Sequence, residues 1–195
     1  MKNAKKAILL TLCAILLVAG SVAGTLAYLT ADASVENTFT VGQVEIALAE
    51  TKVDEYGEAL TGEAAGTTAT GNEYKLIPGH TYTKDPVITV GADSEDCWLF
   101  VKIENGLGAN ADIIGLDTCG WTQISGTNYW AYTAEAVDAG SDVPVFTSFT
   151  YANSVTDTTA DAEKAIVVTA YAIQADGFGT SDAAWTALSQ QLSLS

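Results

Sequence analysis

The sequence contains no arginine, and its eight lysines face 24 aspartate and glutamate residues. The formal net charge is therefore −16 at pH 7. Proteins that bind nucleic acid use a basic surface to neutralise phosphates, and this composition cannot supply one. The shortage of positive charge excludes nucleic acid as a partner, and it argues equally against an anionic membrane surface.

Histidine is almost absent as well: His80, beside a Pro-Gly turn, is the only one. An HExxH zinc site needs two histidines, and no nucleophile-elbow motif supports a Ser-His-Asp arrangement. The acidic clusters at 93–96 and 157–163 lack the spacing of an EF-hand loop, and no glycine-rich phosphate loop lies between a strand and a helix. These absences favour a protein that is not an enzyme and has no cofactor and no metal.

Cysteine is scarce, with three residues in the chain. Cys13 lies in the apolar N-terminal run, where it serves as an apolar filler. The other two, Cys97 and Cys119, form an even pair that invites a disulfide if the chain is exported. The alternative is two buried apolar thiols, and the spacing alone does not decide between them.

The N-terminal end has the layout of a secretory signal peptide. Three lysines within the first six residues precede an uncharged run at 7–29 that contains small residues. This pattern predicts a signal helix over 1–27 that is cleaved between Ala27 and Tyr28, with a cut after Ala23 as the second choice. The run of 23 uncharged residues is also long enough to span a bilayer. An uncleaved anchor is therefore the alternative, and it is the only membrane association that we expect.

Removal of the signal would leave residues 28–195, or 168 residues with five lysines and a net charge of −19. This length corresponds to one domain with a hydrophobic core of its own. The abundance of threonine, alanine, glycine, valine and serine is typical of β-rich extracellular domains. We expect a secreted, single-domain protein.

Short alternating or apolar runs between turn signals predict an all-β domain of about eight strands. Apolar residues alternate with others at 44–48, and the segment 51–72 is expected to be a long exposed loop. A strand is expected within 81–90, where it is either an edge strand at Pro86 or begins at Val87. The apolar runs at 97–104 and 165–174 predict two core strands. Further strands are expected at 121–125 and 129–133, joined as a β-hairpin, and at 143–151.

Two short helical elements are expected beside the strands. One is a helical turn around 112–116. The other is a C-terminal helix in which Ser181 is the N-cap and Trp185, Leu188 and Leu192 form one apolar face. Together with the strands, this pattern predicts a β-sandwich or jelly roll.

Several stretches of the chain resemble the TasA/camelysin (CotN-like) family. Members of that family have signal peptides that are removed by the SipW-type signal peptidase of Gram-positive bacteria. The resemblance is carried by the signal junction GTLAYLT at 24–30, by NTFTVG at 37–42, and by a Pro-Gly turn followed by Lys-Asp, which here comprises Pro78, Gly79, Lys84 and Asp85.

The resemblance implies a jelly-roll-like β-sandwich and a role as an exported matrix protein that self-associates into biofilm fibres. In such fibres the mature N-terminal segment of one subunit adds as a strand to the next. The chemistry would be β-augmentation, in which backbone hydrogen bonds supply affinity and alternate side chains, here Tyr28 and Thr30, fill pockets. The implied donor segment comprises Tyr28, Leu29, Thr30, Ala31, Asp32, Ala33, Ser34 and Val35.

Two other functions stay open at this stage. The family also includes proteins described as cell-surface metalloendopeptidases (camelysin), although this sequence lacks the expected metal ligands. A monomeric adhesin is the other alternative, in which exposed aromatic residues would bind sugars. The candidates for that role are Trp121, Tyr129, Trp130 and Tyr132.

Overall fold

A computed structural model of the chain describes residues 43–132 and 135–193. The expected signal helix, the cleavage site and the donor segment lie outside these residues. The described chain contains three antiparallel sheets and one C-terminal α-helix, which confirms the all-β prediction. Within the same ranges, no helix is both long and apolar enough to cross a membrane.

Eleven strands were found where about eight were expected. The difference arises mainly because two expected strands each divide at a bend, and because one expected turn is a strand. The strands are β1 (Ile46–Thr51), β2 (Thr67–Thr68), β3 (Thr81–Thr83), β4 (Val87–Val90), β5 (Cys97–Asn105), β6 (Ala111–Ile114), β7 (Trp121–Gln123), β8 (Tyr129–Tyr132), β9 (Asp142–Pro144), β10 (Ser148–Tyr151) and β11 (Ile166–Gln174).

The strands form three hydrogen-bonded sheets. The first has the order β2-β1-β4-β9, the second β3-β10-β6, and the third β11-β5-β8-β7. The hairpin expected near 121–133 is confirmed as β7 and β8, which pair from Trp121 opposite Tyr132 to Gln123 opposite Trp130. The strand expected at 97–104 is confirmed as β5, an interior strand with five consecutive buried residues.

One long ribbon joins the first sheet to the second. β4 begins at Val87, as expected from Pro86, and the chain before it belongs to β3 in the other sheet. The segment that contains β9 and β10 divides in the same way, with β9 in the first sheet and β10 in the second. The ladder continues across the bend because the Val145 N–H donates to the Pro86 carbonyl at 2.8 Å. The segments 81–90 and 142–151 therefore each contribute one strand to both sheets.

The main hydrophobic cluster lies between the first and third sheets. It joins buried residues of β4 and of the chain around β9 to buried residues of β5, among them Ile88, Val143, Leu99 and Val101. Because side chains alternate along a strand, the other face of β5 presents Trp98 and Phe100 to a second partner. That partner is the helix α1 (Ser181–Leu192), through Ala184 and Leu188.

The helix differs in detail from the expectation. Thr180, not Ser181, is the N-cap, and its hydroxyl accepts a hydrogen bond from the Ala183 N–H at 3.3 Å. Leu188 is buried, but Leu192 is 46% exposed. The last turn therefore makes little contact with the third sheet.

The prediction of a helical turn around 112–116 is wrong. The residues from Ala111 to Ile114 form β6, which pairs with β10 over four positions. Tertiary strand pairing decides the conformation here, because the local sequence favours neither state strongly. The segment expected as a long loop, 51–72, is mostly exposed. It also contains β2, a short 3-10 turn (Gly62–Ala64) and an isolated bridge between Val53 and Ala59.

Candidate functional site

The first and third sheets meet along two sides, and one side is closed by an aromatic residue. Trp121 of β7 is 2% exposed, and its indole N–H donates to the Pro144 carbonyl of β9 at 2.9 Å. Its ring also packs against Tyr132, with 5.4 Å between the centroids. A large side chain with one satisfied polar group thus seals the edge strands β7 and β9 to each other.

The opposite side, between β1 and β11, contains a cleft of about 860 Å³. Its lining includes Leu48 and Glu50 from β1, the segment 68–76, and residues 161–168 at the start of β11. We call this cleft and the two strands beside it the open side. The first and third sheets have no side chain there that corresponds to Trp121.

Both strands at the open side have a free edge within the described chain. β11 pairs along all nine of its residues with β5 and has no second neighbour. The β1 residues 46–49 pair with β4, while β2 covers only Glu50 and Thr51. The core-facing side chains on these strands are only partly buried, namely Val44, Ile46, Leu48, Ile166, Val168, Ala170 and Ala172. The strand expected at 165–174 is therefore confirmed as a strand, but it lies at an edge and has no fully buried residue.

A buried ion pair forms part of the cleft wall. The Lys84 ammonium lies 2.7 Å from Glu50 Oε2, and the two residues are 9% and 5% exposed. Asn72 supports the carboxylate, because its side-chain amide donates to Glu50 Oε1 at 2.8 Å and to the Thr51 carbonyl at 2.9 Å. The network ties the end of β1 to the segment 68–76 and to the bend after β3.

Asp85, the residue after Lys84, makes a second set of contacts between this bend and β1. Its carboxylate accepts from the Thr51 N–H at 2.9 Å and from the Thr51 hydroxyl at 2.7 Å. Lys84 and Asp85 therefore both attach the ribbon to β1. This is a structural role for the Lys-Asp pair, which is one of the motifs that resemble the TasA/camelysin family.

A second buried carboxylate holds the chain just before β11. Asp161 is 2% exposed and accepts from the Asn110 amide, the Tyr151 hydroxyl and the Lys164 ammonium at 2.7 to 2.8 Å. These donors, led by Lys164, lower the pKa of Asp161 to about 2. Burial together with Asp161 raises the pKa of Tyr151 to about 12, so its hydroxyl stays a hydrogen-bond donor at neutral pH.

The lowered pKa of Asp161 predicts an acid-sensitive part of the stability. A carboxyl group whose pKa is lower in the folded state stabilises the fold above its unfolded pKa of about 4, and this contribution is lost as the pH falls toward about 2. We expect the Asp161→Asn protein to be less stable at pH 7 and to lose less stability than the wild type between pH 4 and 2. Urea unfolding at several pH values measures this, and equal slopes for the two proteins would contradict it.

The site residues expected from the sequence fall into two groups. The cleavage site at Ala27 and Tyr28 and the donor segment from Tyr28 to Val35 lie outside the described residues. Cys97 and Cys119 are described, and both are free thiols in the same hydrophobic cluster. Of the two alternatives that the sequence left open, a disulfide and a pair of apolar thiols, the structure has the free thiols. Burial raises the pKa of both thiols, that of Cys97 to about 11, which makes them poor nucleophiles.

His80 has a local structural environment. Its Nε2 lies 2.8 Å from the Tyr56 carbonyl, and its ring meets that of Tyr82 edge-on with 4.5 Å between the centroids. Across the described ranges, no group of three or more histidine, cysteine, aspartate or glutamate side chains could hold a metal ion. His80 therefore acts here as a packing residue in the turn.

The aromatic residues proposed for sugar binding do not form an exposed surface. Trp121 and Tyr129 are 2% and 3% exposed. Tyr129 packs against Trp185 of α1, with ring centroids 4.9 Å apart, while Trp130 and Tyr132 pack against the main cluster. Trp121 and Tyr129, which the adhesin alternative takes as exposed, are therefore buried, while Trp130 and Tyr132 are partly buried.

Sequence reasoning missed the residues that build the open side, notably Glu50, Asn72 and Lys84. The sequence does contain one indication that Glu50 is buried. In a strand the positions 44, 46, 48 and 50 share a face, so Glu50 continues the apolar row of Val44, Ile46 and Leu48. A charge in a core-facing row indicates a buried partner, which the fold supplies as Lys84.

Comparison of the chain with protein-family models, with curated proteins and with solved structures finds no match. The resemblance to the TasA/camelysin family therefore rests on the sequence motifs alone. Among the described residues, the open side consists of two free strand edges on either side of a partly apolar cleft.

Proposed function

We propose that the chain is a secreted structural protein of the extracellular matrix or cell surface that assembles into fibres. After a SipW-type signal peptidase removes residues 1–27, the donor segment 28–35 of one subunit adds as a strand to the open side of the next. In this proposal the two packed sheets form the jelly-roll-like sandwich that the family resemblance implies.

The observation that carries the proposal is the edge of β11 that no strand of the described residues covers. A long apolar edge strand is a template for pairing with another chain, and proteins usually shorten, charge or cover such edges. β11 has nine residues and contains no charged residue, and its first residues line the cleft. A strand added at this edge would form new backbone hydrogen bonds and bury the core-facing row of Ile166, Val168, Ala170 and Ala172.

The length of the donor segment matches this edge. Eight extended residues span about 27 Å and the nine residues of β11 about 30 Å, at roughly 3.4 Å per residue. Within the segment, Leu29, Ala31, Ala33 and Val35 alternate with more polar residues. This alternation favours the opposite face from Tyr28 and Thr30 for contact with the core.

The two alternative functions have weaker support. An adhesin that uses Trp121 or Tyr129 would need aromatic residues that the fold buries. A camelysin-like peptidase would need a ligand set, and the residues described in the structure bring no such set together. Casein cleavage that is abolished by a chelator and by His80→Ala would favour the peptidase over the fibre protein.

The test uses mature protein that begins at Tyr28 and a variant that begins at Val35. We expect the mature protein to form fibres that are visible by electron microscopy and recovered by sedimentation. The shortened protein should stay soluble, because it lacks the segment that covers the cleft of its neighbour. Equal assembly of the two proteins would overturn the proposal.

The uncleaved protein and a competing peptide provide the controls. Full-length protein in detergent should not assemble until residues 1–27 are removed, since the donor segment is not a free end before cleavage. A synthetic peptide of residues 28–35 in excess should slow assembly of the mature protein, whereas a peptide with the same composition in scrambled order should not.

A further inference from the structure

The buried network at the end of β1 brings an amine, a carboxylate and a primary amide together. The Lys84 ammonium lies 2.7 Å from Glu50 Oε2, and the Asn72 side-chain nitrogen donates to Glu50 Oε1 at 2.8 Å. One carboxylate therefore bridges the lysine and the asparagine. An unprotonated lysine amine is a nucleophile, and the carbon of an amide is an electrophile. The three groups can therefore react with one another as well as bind.

The Asn72 amide is held in one orientation by its other partners. Its oxygen Oδ1 accepts from the Val53 N–H at 3.1 Å, and its nitrogen donates to the Thr51 carbonyl at 2.9 Å as well as to Glu50. A backbone N–H that points at the oxygen polarises the carbonyl group, and it stabilises the negative charge that develops there when a nucleophile adds to the carbon. The nitrogen, which is the leaving group of such a reaction, faces the carboxylate.

Glu50 is placed to exchange protons with both nitrogens. As an ammonium, Lys84 cannot act as a nucleophile, but transfer of one proton along its hydrogen bond to Glu50 gives a neutral amine and a carboxylic acid. The side chains of Lys84 and Glu50 are 10% and 6% exposed. Removal of two charges from water is costly, so burial narrows the difference in free energy between the ion pair and this neutral pair. One proton transfer therefore separates the ion pair from a reactive amine beside the amide.

We propose that Lys84 and Asn72 form an intramolecular amide bond, with Glu50 as the proton carrier. The bond between Lys84 Nζ and Asn72 Cγ forms, the bond between Cγ and Nδ2 breaks, and ammonia leaves. Of the three protons on the ammonium, one stays on the new amide nitrogen, one passes through Glu50 to the departing nitrogen, and one stays on Glu50. Because Glu50 is then a neutral acid, no buried charge is left without a partner. The reaction balances without an oxidant or a cofactor.

The bond is expected to form slowly and after folding. The fold must first bring the three residues together, and the ion pair must convert to its neutral form before the amine can attack. Freshly folded protein therefore contains the ion pair, and the amide bond accumulates with time. Once formed, the bond closes a loop over residues 72–84, which includes the Pro-Gly turn and part of the cleft wall. A covalent closure of this kind restricts the unfolded chain as a disulfide does.

A second set of the same chemical groups, around Asp161, does not meet these conditions. Its carboxylate bridges Lys164 and Asn110 at 2.8 and 2.7 Å. The Lys164 side chain is 43% exposed, however, so its ammonium stays hydrated. The Tyr151 hydroxyl donates to the same carboxylate, and these donors, led by Lys164, lower the pKa of Asp161 to about 2, which makes it a poor acceptor of a proton. This second set is therefore an internal control.

The experiment is intact-mass measurement of full-length protein that is purified in detergent and kept folded, with spectra taken until they no longer change. We expect the wild type to become lighter than the mass calculated from its sequence by about 17 Da, the mass of ammonia. Trypsin cleaves after free lysine side chains, so it should release a branched peptide in which residues 53–75 are joined to residues 76–102. This peptide is decisive, because cyclisation of an asparagine before glycine, as at Asn105, loses the same mass without joining two peptides.

Three variants each remove one participant. Lys84→Arg keeps a positive charge beside Glu50, but a guanidinium stays protonated and does not attack. Glu50→Gln removes the proton carrier, and Asn72→Ala removes the amide. None of the three should yield the branched peptide, and far-UV circular dichroism shows whether each is folded. Lys164→Arg is the matched control and should yield the peptide as the wild type does.

Wild-type protein that stays folded but keeps its calculated mass would overturn the proposal and leave the network as an ion pair alone. A branched peptide that joins Asn72 to a lysine other than Lys84 would overturn it too, as would formation of the bond at the wild-type rate in folded Glu50→Gln. These measurements require no fibres. The amide bond and the proposed function can therefore be confirmed or overturned separately.

Discussion

Replacement of Lys84 by methionine is expected to cost about 3–5 kcal/mol of folding free energy, because it leaves the Glu50 carboxylate buried without a counter-charge. The methionine fills a similar volume, so the loss reports the missing charge more than a cavity. A domain of this size is typically stable by about 5–15 kcal/mol. Urea unfolding followed by tryptophan fluorescence should therefore show a midpoint well below that of the wild type.

The chain provides a matched control for this substitution in Lys102. That residue pairs with Glu104 at 3.1 Å, but the glutamate side chain is 52% exposed. Lys102→Met should therefore cost less than about 1 kcal/mol. Addition of Glu50→Leu to Lys84→Met should recover much of the loss, since the buried charge is then removed as well. Equal costs for Lys84→Met and Lys102→Met would show that the burial of the first pair has no energetic consequence.

Introduction of a charge on the core-facing side of β11 is expected to abolish assembly. Val168→Asp places a carboxylate among the apolar side chains that an added strand would cover, and a buried unpaired charge is strongly unfavourable. In the monomer Val168 is only partly buried and lines the cleft, so the carboxylate can remain in water. Sedimentation of the mature variant should find no fibres under conditions in which the wild type forms them.

The neighbouring Thr169 gives the control, because it lies on the opposite face of the same strand and does not line the cleft. Thr169→Asp changes the charge equally and should assemble normally. Urea unfolding should show that both variants are folded monomers. Normal assembly of Val168→Asp would mean that β11 is not the edge to which a strand is added.

Local sequence was sufficient for much of the fold. The apolar run of β5, the break before Val87 and the hairpin around Gly126 each follow from residues that are adjacent in the chain. The class of the protein follows from the number of such runs. The predicted strand lengths near bends were less accurate. The ribbon divides at Lys84 and Val145, and this division depends on how two distant segments pair.

The open side could not be predicted from the sequence, and the reason is physical. An apolar run such as that of β11 predicts a strand, but it does not reveal whether the strand has one neighbour or two. The partner of Glu50 is likewise 34 residues away, and only the fold brings Lys84 to it. The same limit explains β6, where pairing with β10 prevails over a weak local preference for a turn.

The contrast between Trp121 on one side and the cleft on the other has a consequence for the form of the assembly. In the proposed assembly, a subunit with one sealed side and one receptive side would make contacts in which donor and acceptor surfaces differ. Contacts of this kind form a ring when the rotation between subunits closes and an open filament when it does not. A filament of this chain would therefore be polar, with one tip that presents an empty cleft and another that presents a free N-terminal strand, and the two tips should grow at different rates.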